Sequence, residues 1–243
     1  MRFRAVVLLV AALSVSCGGG GGLFRQYEYE EEMYLSLDGS ATIYVNSSVA
    51  ALNALRGASF DTAPSAQIDR AAVRAYYTTP VTRVTRRPAL SRRSNRRFVH
   101  VRVDVDDVRR LAEAAPFAWS SYRFGKDGTA YLYEQTVGAA AGKTVSTNWS
   151  GSETVAFRLH VPSRVLGSNA GAGNLKRGNI LVWEQPLADR LRGAPLTLEA
   201  RMEPQSILYR TLALFGVTIV AVVLAFVALI WWILRRGGKP AQV

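Results

Sequence analysis

Apolar and polar residues alternate through most of the middle of this chain. Over residues 27–37, Tyr27, Tyr29, Met33, Leu35 and Leu37 share one face at period two, and Glu31 interrupts that face. Asp38-Gly39 then reads as a tight hairpin turn, with residues 41–45 as the returning strand. Val99, Val101, Val103 and Val105 alternate with His100, Arg102 and Asp104, and Val155, Phe157, Leu159 and Val161 repeat the pattern. Residues 81–90 and 97–105 flank a polar loop, and 117–124 and 129–137 flank Lys126-Asp127-Gly128. Residues 180–183 and 196–202 complete the strands. Helical spacing covers three short segments. Ser47 or Ser48 caps a helix over 49–55 that Gly57 ends, residues 65–76 form a second, and Asp106 caps a third over 108–114. Residues 187–191 add a helical turn. About nine strands and three short helices make an α+β domain, mostly antiparallel β-sheet, over residues 25–205.

The two ends break this pattern. Arg2 and Arg4 precede an apolar run over 5–13, and Ser14 and Ser16 stand at −3 and −1 before Cys17. Residues 1–16 therefore read as a signal peptide. The cut before a lone cysteine also resembles the lipobox of bacterial lipoproteins, with Leu13 at −4, which makes Cys17 the expected lipidation site. An incidental free thiol is the other reading. Gly18–Gly22 make residues 17–24 a flexible tether. At the other end, residues 211–234 carry no charge. At 1.5 Å per residue they span roughly 36 Å, enough for one transmembrane helix. Trp231 and Trp232 suit the interface. Arg235, Arg236 and Lys239 mark residues 235–243 as a basic cytoplasmic tail by the positive-inside rule. The expected protein is integral to a bacterial plasma membrane, single-pass, with a lipid anchor and its bulk outside the cytoplasm.

Charge and composition narrow the chemistry. Lys+Arg number 30 against 18 Asp+Glu, a formal charge of +12, and the cationic residues are mostly Arg. One cysteine excludes an intrachain disulfide, and His100 and His160 are too few for an all-Cys/His zinc site. The expectation is no metal and no cofactor. Gly138-Ala139-Ala140-Ala141-Gly142-Lys143-Thr144 imitates a phosphate loop, but only three residues separate its glycines where four are needed. No G-x-S-x-G elbow occurs. Both histidines read as sheet-surface residues, and Glu28, Glu30 and Glu32 as a solvated strand face. The strongest feature is a run of Arg83, Arg86, Arg87, Arg92, Arg93, Arg96, Arg97 and Arg102 with no acid between them. Export excludes nucleic acid as their partner. An anionic lipid or acidic envelope polymer is the available one, and a merely solvated hairpin is the alternative.

One region carries a resemblance. His160-Val161-Pro162-Ser163-Arg164-Val165, then Ser168-Asn169, then Arg177-Gly178-Asn179-Ile180-Leu181-Val182-Trp183 resembles the corresponding region of LppM-like bacterial lipoprotein domains. That family also joins a lipobox signal, one β-rich domain and a C-terminal membrane helix. The resemblance implies a non-enzymatic binding or structural module of the cell envelope, with anionic lipid or glycolipid as the candidate ligand, and it brings no catalytic residues. The alternatives are a subunit of a membrane complex docked through its helix, with protein partners unknown, and a hydrolase of envelope lipids or glycans.

Overall fold

The computed structural model describes residues 27–142, 149–171, 175–176 and 179–236. The expected signal peptide, Cys17, the glycine tether, Arg177-Gly178 and the tail from Gly237 with Lys239 lie outside the described residues.

The chain begins with β1 (Tyr29–Leu35) and β2 (Ala41–Ser48). Asp38 shapes the turn between them by accepting from the Ser40 N–H (2.9 Å), and Gly39 takes a φ of +94°. Helix α1 (Val49–Arg56) follows at once. The Ser48 side chain accepts from the Ala51 N–H, and Gly57 closes the helix in the left-handed region. Helix α2 (Arg70–Tyr77) starts five residues later than the spacing suggests, because Asp69 and not an earlier residue caps it. Residues 81–90 are not one strand but two pieces, β3 (Thr82–Arg83) and β4 (Ala89–Arg93), on either side of Pro88, which has no N–H to give a ladder. β4 turns through Ser94 and Asn95, both at positive φ, into the long β5 (Arg96–Val105). The expected polar loop is thus a two-residue hairpin turn. The third helix is 3₁₀, over Val108–Glu113, capped by Asp107 where Asp106 was expected, and a second 3₁₀ turn covers Ala115–Phe117.

The remaining elements are β6 (Ser120–Asp127), β7 (Ala130–Val137), β8 (Thr154–His160), β9 (Ser163–Ser168), β10 (Leu175–Lys176), β11 (Ile180–Pro186), α3 (Leu187–Leu191), β12 (Leu196–Ser206) and α4 (Ile207–Arg236). They build two sheets. The larger runs β10-β11-β8-β1-β2-β5-β3, with β4 also on β5, and the smaller runs β6-β7-β12-β9. All pairings are antiparallel except β1 with β8. The fold is α+β and antiparallel-rich, as the alternation predicts.

The core lies between the sheets. Tyr29, Met33, Ile43, Val45, Val99, Val101, Val103, Phe157 and Leu159 fill the inner face of the large sheet. The small sheet answers with Tyr133, Val137, Leu198, Ala200 and Met202, and α1, Phe117 and Trp119 fill the space between. The segment that imitates a phosphate loop has a structural use. The Ala141 and Gly142 N–H groups donate to the Leu55 and Ala54 carbonyls at the C-terminus of α1 (3.0 Å each). Those are carbonyls that a helix end leaves without a partner. A Cβ on Gly142 would lie 1.8 Å from the Asn53 oxygen, so only glycine fits this approach.

Candidate functional site: an arginine-bordered sheet edge

β3 and β4 form the outer edge of the large sheet beside β5, and seven of the eight arginines of the sequence run lie on or between these strands and their turns, with Arg102 farther along β5. The structure divides them by what they touch. Arg93 donates to the Tyr27 carbonyl (3.0 Å) and stacks on Phe98 (4.1 Å), and Arg96 lies 2.7 Å from the buried Glu28 carboxylate. Arg97 donates to the Pro64 carbonyl (3.1 Å), and Arg102 pairs with Asp104 (3.1 Å). These four are half-buried, and Arg93, Arg96 and Arg97 tie the hairpin to the domain. Glu28, just ahead of β1, and Asp104 and Asp106, just past the run, supply the acids it lacks, so the stretch is less positive than it reads. Arg83 makes an exposed two-pronged pair with Asp106 (2.6 and 2.8 Å), and Arg92 bonds Asn95. Arg86 and Arg87 are exposed and have no hydrogen-bond or ion-pair partner among the described residues.

Arg87 borders a surface depression of about 430 Å³ together with Arg70 and Arg74 of α2. Reading the run along the chain misses these two, because they sit in a different element. Their spacing of four residues on a helix is the signal that places them on one face.

The outer face of the large sheet is a polar network. His160 Nε2 meets Glu32 Oε1 (2.6 Å), and its ring stacks on Tyr34 (3.9 Å between centroids). That contact holds the Glu32 carboxyl below its ordinary range. Arg158 pairs with Glu30 (3.1 Å), and Asn46 links Glu30 (3.1 Å) to His100 (3.0 Å). His100 also meets Ser91 (2.8 Å), and burial followed by the nearby Arg93 pushes its pKa down. Both histidines are sheet-surface residues, though half-buried. Glu30 and Glu32 share the expected polar face, whereas Glu28 is buried beneath the hairpin tip.

Glu31, the interruption on the inner face of β1, has a fully buried partner in Arg56 at the end of α1. The Arg56 guanidinium also bonds Tyr29 Oη and the Pro116 carbonyl. It lies over the rings of Trp119 (4.3 Å), Tyr29 (4.9 Å) and Phe117 (5.0 Å). Gln135 approaches Glu31 at 3.5 Å. Burial pushes the Glu31 carboxyl up to about 8, with the Gln135 hydrogen bond opposing the rise, and burial pushes the Arg56 guanidinium down from its ordinary value. Both side chains are buried, and the pair braces the core. No group of three or more His, Cys, Asp or Glu side chains converges as a metal site among the described residues.

α4 runs for 30 residues directly from β12, and none of its apolar window is buried against the domain. Arg235 and Arg236 stack on Trp231 and Trp232 at its end (4.0 and 4.2 Å). No family model matches the chain, and no curated protein does. Among solved structures it is similar to the folded domain of the LppM protein of Mycobacterium tuberculosis, determined by NMR, at 14% identity and a TM-score of 0.40, over 76% of this chain and 95% of that one.

Proposed function

We propose that the chain is a non-enzymatic, single-pass membrane module of the bacterial cell envelope, whose extracytoplasmic domain contacts an anionic lipid or glycolipid through its arginine-bordered edge. The observation that carries the reading is α4. An 18-residue window of this 30-residue helix has a mean hydropathy of 3.0 and is wholly unburied by the domain, and each apolar side chain left in water forgoes its transfer free energy, which a bilayer would restore. Its basic end, with indoles packed under the guanidiniums, suits the cytoplasmic interface. The unpaired Arg86 and Arg87 support the anionic contact, since each basic residue near an anionic surface contributes about 1 kcal/mol.

Two measurements test the reading. The full chain should stay in the membrane through an alkaline carbonate wash, and a phosphatase fused after Val243 should be inactive. Release by carbonate, or an active C-terminal fusion, would overturn the topology. The full chain in nanodiscs of phosphatidylcholine should also bind phosphatidylglycerol vesicles, and less so as salt rises. Equal binding to neutral vesicles would remove the anionic contact.

A further inference from the structure

The depression at the sheet edge is walled on one side by Asp69, Arg70, Ala71 and Arg74 and on the other by Arg87 and Pro88. Its walls are held at a fixed spacing. Arg74 donates twice to the Val84 carbonyl (3.2 and 2.9 Å), tying α2 to the segment between β3 and β4. Pro88 is buried and stiffens the backbone next to Arg87. The Asp69 carboxylate is occupied by its own helix, accepting from the Ala71 N–H (2.8 Å), so the helix terminus offers nothing to a ligand. The guanidiniums do. Arg70 and Arg87 are exposed and have no partner among the described residues.

Charge selects the ligand class. Three guanidiniums against one carboxylate leave a net of two positive charges around the space. A carboxylate ligand balances one of them. A phosphate monoester, carrying about −1.5 to −2 at neutral pH, balances both. The planar fork of arginine also matches phosphate oxygens in pairs. A phosphate group fills only a small part of 430 Å³, which leaves room for the alcohol that it esterifies. We propose that this depression binds a phosphate monoester, with its phosphate between Arg70, Arg74 and Arg87. The inference rests on the anionic-ligand reading above and gives that ligand its chemical class. It adds Arg70 and Arg74, which lie outside the arginine run.

The test uses the full chain in dodecyl maltoside, an uncharged detergent, and titration calorimetry with three probes: inorganic phosphate, glycerol 3-phosphate and dihexanoyl phosphatidic acid. Dihexanoyl phosphatidylcholine, a zwitterionic diester, is the control ligand. The parent should bind the first three and not the fourth. Arg70→Gln and Arg87→Gln should each weaken monoester binding at least tenfold with unchanged melting, while Arg123→Gln, on β6 and away from the depression, should leave binding unchanged. Phosphatidic acid binding at least tenfold tighter than glycerol 3-phosphate identifies a lipid headgroup, and equal binding identifies a soluble ester. Either result sustains the proposal. It falls if the Arg70→Gln/Arg87→Gln double variant binds monoesters like the parent, or if phosphatidylcholine binds as tightly as phosphatidic acid. If the parent ignores all monoesters yet its nanodiscs still bind anionic vesicles in a salt-sensitive way, the depression is empty of function and the broader anionic contact stands.

Discussion

Arg56→Met is the most informative perturbation of the core. Methionine roughly keeps the volume and removes the charge. It takes away the ion pair to Glu31, the bonds to Tyr29 Oη and the Pro116 carbonyl, and the stacking on Trp119, Tyr29 and Phe117. It leaves the Glu31 carboxylate 2% exposed and without its cation. Breaking one side of such a buried pair costs about 3–5 kcal/mol. For a domain of this size that corresponds to a melting temperature lower by roughly 6–20 °C. Tryptophan fluorescence of the full chain in dodecyl maltoside reads the transition, since Trp119 lies against the guanidinium.

The deficit carries a pH signature. Burial lifts the Glu31 carboxyl from 4.5 to about 8 in the parent, and losing the Arg56 cation disfavours the ionised form further, so the carboxyl of the variant titrates higher still. An acid whose folded pKa exceeds its unfolded value stabilises most below the unfolded value and loses that contribution as pH rises through the folded one. The Arg56→Met deficit should therefore grow as pH rises above about 8, where the parent carboxyl ionises and the variant's does not, by up to about 1.4 kcal/mol per unit. Adding Glu31→Gln should flatten it, and a Glu31→Leu/Arg56→Met pair should recover most of the stability, because an apolar replacement carries no desolvation cost. A melting point for Arg56→Met within 2 °C of the parent, or a deficit independent of pH in that window, would refute the reasoning.

Gly142→Ala places a Cβ 1.8 Å from the Asn53 oxygen and should cost about 1–3 kcal/mol in a thermal melt, whereas Gly125→Ala, with nothing within 4 Å, should not destabilise. His160→Leu removes the main cause that holds the Glu32 carboxyl low, so its titration by carbon-detected NMR should move up. Because Glu32 is depressed in the fold, its stabilising contribution is present above its ordinary value near 4.5 and fades as pH falls below it, so parent and variant should converge in acid. Mass spectrometry of the native N-terminus should show an acylated Cys17, and Cys17→Ser should lose that mass while staying in the membrane through α4. A free thiol would remove the lipoprotein reading.

The strands of the large sheet were legible because one face is buried, which forces period two on the residues. The Ser48 cap and Gly57 stop of α1 were legible because both rest on local backbone chemistry. Errors came where a local signal had a near neighbour: Asp107 outcompetes Asp106, and Asp69 overrides earlier polar residues, since in each case the winning side chain accepts from the N–H two residues on. The parallel pairing of β1 with β8 was not legible, because about 120 residues separate the strands and nothing in either encodes the partner. Arg56 was hidden for the same reason. The clue was Glu31, a carboxylate on an apolar face, which requires a buried cation from somewhere. The arginine run misled in the opposite sense, since Glu28 reaches Arg96 only through the tertiary fold and Asp104 lies just past the end of the run.

Strand register also fixes where the two ends of the chain leave the domain. Tyr27 precedes β1 where β5 begins, with the Arg93 guanidinium on its carbonyl. α4 starts at the opposite end, where the Ile207 N–H donates to the Pro162 carbonyl just beyond β8. β5 runs between these ends for 10 residues, roughly 30 Å. The stretch from Cys17 to Tyr27 reaches at most about 35 Å fully extended and roughly 17 Å as a random coil. An acyl chain on Cys17 and a spanning α4 in one bilayer would therefore pull on opposite ends of the sheet, and a Cys17–Tyr27 stretch whose reach barely matches the length of the sheet would draw the β4–β5 tip toward the lipid. The edge that carries Arg86, Arg87 and the depression would then lie along the bilayer surface and not point away from it. A spanning α4 would by itself retain the protein in the membrane, so an acyl chain on Cys17 at the far end would serve orientation and not attachment.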